Sequence, residues 1–193
     1  MKRLIAASTA LALFASTALA ANVPYLPGPI DPGNLLGSFN AVIGAVNGNT
    51  GGILAALGTP YTTSTTAAET VLAYTLPGGF LGSVGQGVEA RVFGVNAADA
   101  NVRTVTFNFG ALVVACVVTG SAAKWFVDMT VYKTGASTQQ GECHGSEGTT
   151  VVASVQPSAG AVTDTANIAL TVTMTNATSG TTTVNGARIF GVK

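Results

Sequence analysis

From Lys124 to Tyr132 the side chains change character at every step, with Trp125, Val127, Met129 and Val131 set against Lys124, Asp128 and Thr130. That is the period of two expected of a strand with one buried face. The same texture fills the chain after Ala67. Short runs predict strands at about 71–76, 88–95, 102–109, 112–118, 124–132, 138–144, 149–156, 167–175 and 184–192, with turn-forming Gly, Asn, Thr and Ser between them. The cleanest alternates Ile168, Leu170, Val172 and Met174 with Ala169, Thr171, Thr173 and Thr175. No segment of helical period separates these runs, so the pattern predicts an all-β fold, an antiparallel β-sandwich or jelly roll rather than a parallel α/β sheet. Leu112 to Val118 is apolar on both faces. A strand of that kind belongs in the centre of a sheet or beneath a neighbouring subunit.

Residues 21–66 have a different texture. Prolines 24, 27 and 29 hold the first part extended. Asp31-Pro32 then has the form of a helix start, an N-cap followed by proline at the first helical position. Leu35, Leu36, Phe39, Val42, Ile43 and Val46 recur at the spacing of one helical face, and Asn47-Gly48-Asn49 ends the helix. The stripe has two possible destinations, the following domain or the same stripe of identical chains in a bundle. Ile53 to Leu57 predicts one more helical turn. Gly58 to Thr66, rich in Thr and Ser, reads as a linker. Ahead of all this, Lys2 and Arg3 precede an apolar run from Leu4 to Phe14, and Ala18-Leu19-Ala20 supplies a small-x-small cleavage pattern. Residues 1–20 are thus expected to be a secretory leader removed after Ala20, leaving no stable membrane span. The predicted organisation is a leader (1–20), a Pro-rich arm with helix and linker (21–66), and a β-sandwich domain (67–193).

Composition narrows the function classes. Only 8% of the 193 residues are charged, against roughly 25% in an ordinary soluble domain, so the surface is wetted by Thr, Ser, Asn and Gly or hidden in an assembly. Basic and acidic side chains number eight each, and losing Lys2 and Arg3 with the leader makes the balance acidic. No basic footprint for nucleic acid is present. Cys116 and Cys143 are the two cysteines; behind a leader, in an oxidising compartment, an even pair reads as a disulfide. Register decides whether they can meet. A two- or four-residue turn near Thr134–Ser137 sets Cys143 opposite Asp128 on the polar face, and a three-residue turn sets it inward opposite Met129. The inward register is favoured because Glu142 and His144 then both face water.

Candidate chemistry is sparse. His144, beside Cys143 and near Glu142 and Glu147, lacks zinc-ligand spacing, and neighbours on a strand point to opposite faces. Glu89 and Asp99 are separated by a strand and a loop, which does not place them as an acid-base pair. Residues 82–87 are glycine-rich but lead into a strand, not a helix, so they make no phosphate cradle. Trp125, Tyr74, Tyr132 and Phe80 could offer stacking surface to a sugar, although Trp125 and Tyr74 read first as core. Asn176-Ala177-Thr178 has the form of a glycosylation sequon. No cofactor, no metal and no enzymatic activity are expected.

Three stretches carry a resemblance: AAETVLAYTLPGGFL (67–81), GVEARVFGVNAADANVRTVTFNFG (87–110) and VYKTGASTQ (131–139). Together they resemble a jelly-roll-like β-sandwich domain of minor virion proteins of tailed bacteriophages and prophages. The likeness lies in Leu76-Pro77 after the first strand, the Ala97–Asn101 loop, the Lys133-Thr134-Gly135-Ala136 hairpin and a closing strand over 176–192. Residues 23–47 are similar to Pro-rich, helix-forming lead-ins of related phage proteins. The leader and the cysteine pair depart from that pattern. The resemblance implies a non-enzymatic structural or adhesive virion protein, a homotrimer contacting other virion proteins or a cell-surface glycan, located in a virion, or exported if the leader works. The alternative is an exported monomeric carbohydrate-binding module, which would carry an exposed aromatic cluster on one sheet face.

Overall fold

The computed structural model describes residues 52–99, 101–119, 124–152 and 158–192. The predicted leader, the Pro-rich arm and the helix bearing Leu35, Leu36, Phe39, Val42, Ile43 and Val46 lie outside the described residues. Among those described there are twelve strands and no helix: β1 (Ile53–Ala56), β2 (Tyr61–Thr63), β3 (Glu69–Leu76), β4 (Gly87–Asn96), β5 (Val102–Phe109), β6 (Leu112–Thr119), β7 (Lys124–Lys133), β8 (Gln139–Glu147), β9 (Thr150–Val152), β10 (Ser158–Gly160), β11 (Ile168–Asn176) and β12 (Thr182–Val192). They form two antiparallel sheets. The larger runs β1-β12-β4-β7-β8-β10, with β2 also on β12 and β9 also on β8; the smaller runs β3-β11-β5-β6. The fold is a β-sandwich.

Alternation explains the layering. In β11, Ile168, Leu170, Val172 and Met174 are buried while the intervening Ala169 is exposed and the threonines are half-buried. In β7, Trp125, Val127, Met129 and Val131 point inward against them. The two inner faces together make one core, the arrangement that removes the most apolar surface from water when each sheet has a single apolar face.

Three expectations need correction. Ile53 to Ala56 is a strand, not a helical turn: Ile53 pairs with Phe190, Ala55 with Ile189 and Ala56 with Arg188. Five apolar residues cannot meet the cost of helix nucleation unaided, whereas the edge of β12 offers them ready backbone partners. Part of the expected linker is likewise sheet, since Tyr61, Thr62 and Thr63 pair with Val184, Thr183 and Thr182. Finally, of the two places expected for the doubly apolar β6, the centre of a sheet is not the one it takes. Among the described residues it pairs with β5 alone and ends the smaller sheet.

Cys143 faces Met129 and Gly141 faces Val131, the inward register. Thr134 and Thr138 close the hairpin through Thr134 N–H to Thr138 O (2.8 Å), with Gly135 to Ser137 as the three-residue turn between them. That register brings Cys143 to the disulfide with Cys116 across the two layers, at a Cα–Cα distance of 5.9 Å. Sheets in a sandwich usually lie about 10 Å apart, so the layers converge here. Gly141 allows it: a Cβ on Gly141 would stand 2.3 Å from Val114 Cγ2 and 3.4 Å from Val131 Cγ2. Valine is stiff at χ1, and Val114 is buried. Gly141→Ala is therefore expected to destabilise the domain by about 1–3 kcal/mol, read as a lower midpoint in thermal unfolding. An unchanged midpoint would mean the layers part freely at this corner.

Candidate functional site

Polar groups inside the domain are tied to the architecture. Arg103 is fully buried and grips Asp99 with two nitrogens, Nη2 lying 2.8 Å from Oδ2. Its Nε donates to Thr182 Oγ1 (2.9 Å) and Nη1 to the Asn101 carbonyl (2.6 Å). Thr182 passes the chain on, donating to Asn176 Oδ1 (3.0 Å), while Asn176 Nδ2 donates to Thr65 O (3.0 Å). The guanidinium hydrogen bond holds the Asp99 carboxyl below its ordinary pKa, against an opposing push from burial. The Asn176 amide is spent on these contacts and buried, so the sequon is not open to a glycan in the folded domain. At another corner Glu147 Oε2 accepts from Thr119 N–H (2.7 Å) and the Thr119 hydroxyl (3.2 Å), and Oε1 accepts from Asn96 Nδ2 (3.3 Å). Lys133 is paired with Asp164 and donates to the Leu81 carbonyl (2.8 Å). Glu147, set beside His144 in the sequence, thus serves the interior.

The outer face of the larger sheet is different. Registers across β12, β4, β7, β8 and β9 line up Gly186, Phe93, Phe126, Ser146 and Val151 in one row. Phe93 and Phe126 lie directly opposite each other on neighbouring strands and are each 47% exposed, and Val151 is 77% exposed. Phe93 leans across β12 into the space over Gly186, where a Cβ would stand 2.5 Å from the ring's Cζ. β12 carries a register shift between Val184 and Gly186 at this point, the kind of bulge that re-aims side chains.

The next row on the same face, Arg188, Arg91, Asp128 and His144, is charged or polar. Arg91 pairs with Glu89 and lies 3.6 Å from Asp128 Oδ1, its guanidinium 5.5 Å from the Phe190 ring centre. Burial pushes the Asp128 carboxyl up in pKa; Arg91 pulls it down and Glu89 adds to the rise. His144 Nε2 lies 3.6 Å from Glu142 Oε2, and the Tyr132 hydroxyl donates to Glu142 Oε1 (3.2 Å).

Of the aromatic candidates, Trp125 is core, with its ring packed over Gly94, and Tyr74 and Phe80 are partly buried against the core. Tyr132 alone of the four is half-buried on the outer face. Phe93 and Phe126 are the aromatic side chains that sequence reasoning passed over. Glu89 and Asp99 are not brought together: the first serves Arg91, the second Arg103. Among the described residues no three His, Cys, Asp or Glu side chains are grouped to hold a metal ion.

The remaining exposed apolar strip is on β6. Val113 and Val117 are 48% and 43% exposed on its outer side, with Val102 of β5 nearby at 38%. β6 has no strand on its free edge among the described residues, and its ladder with β5 runs without a bulge. It contains no Lys, Pro or other residue that usually blunts a sheet edge. No family model matches the chain, and no curated protein matches it in sequence.

Proposed function

We propose that the protein is a non-enzymatic virion structural or attachment protein of phage or prophage type that works as a homotrimer, its sandwich making contacts and its N-terminal arm and helix fastening it. The observation that carries the reading is β6, an eight-residue edge strand with valines on its outward face and, among the described residues, no device against pairing. A protein that kept such an edge as a free monomer would expose it to unwanted association. Neighbouring copies that cover both the free edge and the valine-bearing outer face of β6 remove that liability. The sparse charge of the whole chain suits the same explanation. The passages between sheets at β2–β3, β3–β4, β4–β5, β6–β7, β10–β11 and β11–β12 support a jelly-roll-type origin; the hairpins β5–β6 and β7–β8, each kept within one sheet, depart from it. The disulfide agrees with an exported or particle-surface location.

Light scattering coupled to size-exclusion chromatography is expected to give three times the chain mass. Val113→Lys with Val117→Lys is expected to give monomers with an unchanged dichroism spectrum. A clean monomer for the unaltered protein at micromolar concentration would remove the trimer, and a trimer indifferent to both lysines would move the contact away from β6.

A further inference from the structure

We propose that the outer face of the larger sheet binds the neutral pyranose rings of a glycan, with Phe93 and Phe126 as the stacking platform and the row of Arg91, Asp128 and His144 as its hydrogen-bonding border. A pyranose is amphipathic in a particular way: its axial C–H groups make an apolar face, and its hydroxyls lie around the rim. A surface that recognises it needs exposed rings with polar donors and acceptors at one side. Both are present on one face. The two phenylalanines sit opposite each other on β4 and β7, each about half exposed. Along each of those strands the polar row begins two residues away, at Arg91 and Asp128, which is about 7 Å for an extended backbone.

The position of Phe93 strengthens the case. An upright ring would bury part of Phe126. Instead, Phe93 extends over Gly186, a site that any side chain would fill, and the platform widens across β12, β4 and β7. Ser146 and Gly186, which flank the aromatic pair in the same row, are small and half-buried, so the platform has no wall on either side. An open, flat site of that kind suits a chain of sugars better than a single small molecule, which usually sits in a concave pocket.

Charge complementarity selects an uncharged ligand. Arg91 is neutralised by Glu89 and Asp128, and Glu142 is engaged by Tyr132 and His144. An anionic polymer would meet those carboxylates, and a basic one would meet Arg91 and Arg188. A polyol can use the pairs as they stand, since each paired group keeps spare donors or lone pairs.

The inference does not rest on the trimer, because the face belongs to the sheet opposite β6. Affinity electrophoresis of the full chain in native gels cast with soluble neutral polysaccharides, namely a β-glucan, a galactomannan and a xylan, tests it directly. At least one is expected to retard the protein. Phe93→Ala with Phe126→Ala is expected to weaken that retardation about tenfold or more, in line with the loss of aromatic stacking, without altering the dichroism spectrum. Arg91→Ala should weaken it less. Val113→Lys with Val117→Lys should leave it intact, so a failed trimer and a failed glycan site are distinguishable. Absence of retardation by all three polymers overturns the proposal. So does equal retardation of the double-alanine variant, or a change in its oligomeric state without any glycan binding, which would make the platform a subunit contact.

Discussion

Arg103→Met is expected to destabilise the domain by about 3 kcal/mol in urea unfolding, and Asp99→Ala is expected to be the more damaging of the two. Methionine fills much of the space of arginine without its charge. Asp99, with its side chain 26% exposed, can then turn to water, and Thr182 still bonds Asn176. Removing Asp99 is the harsher change because the guanidinium it leaves behind is fully buried without a counter-charge. The opposite ranking would show that the pair is not the anchor of this corner. A pH dependence follows. Because the folded-state pKa of Asp99 is lowered, foremost by the Arg103 hydrogen bond, its stabilisation is complete above the ordinary carboxylate value near 4 and fades as pH falls through the folded value. The unaltered protein should therefore lose more stability than Arg103→Met between about pH 5 and pH 2.

Loss of the Cys116–Cys143 bond is expected to cost about 3.5 kcal/mol, the chain-entropy value for a loop of 27 residues. The paired change Cys116→Ala with Cys143→Ala should lower the urea midpoint and leave the dichroism spectrum unchanged, because much of the effect in that account lies in the unfolded chain. It should also speed amide exchange along β6, which the bond fastens to β8. A variant with the original midpoint would show that core contacts between Val114, Gly141 and Val131 already hold that corner.

Most of the architecture was legible in the period-two pattern, because a strand with one face in the core records its orientation in every second residue. The inward position of Cys143 was legible for the same reason, once the polar character of Glu142 and His144 was weighed. What escaped was decided by partners distant in the chain. Ile53 to Ala56 has no strand signature of its own and becomes sheet because β12 is beside it. β6 reads as central or subunit-covered since both its faces are apolar, yet its place is fixed by the hairpin to β5 and the disulfide to β8. The aromatic platform was visible in part: Phe126 occupies the polar phase of β7, between Lys124 and Asp128, and an apolar ring there is a departure to be explained. Its pairing with Phe93 was not visible, since only the β4–β7 register makes them neighbours.

β12 also governs when the domain can fold. It lies between β4 on one side and β1 and β2 on the other, so β4, together with β1 and β2 more than a hundred residues upstream, waits for the same partner. A nascent chain emerging from the ribosome would have its first strands long before residues 182–192 appeared to join them. The larger sheet should therefore close only once residues 182–192 have been made, and chains stalled before Thr182 should be captured by holdase chaperones or degraded.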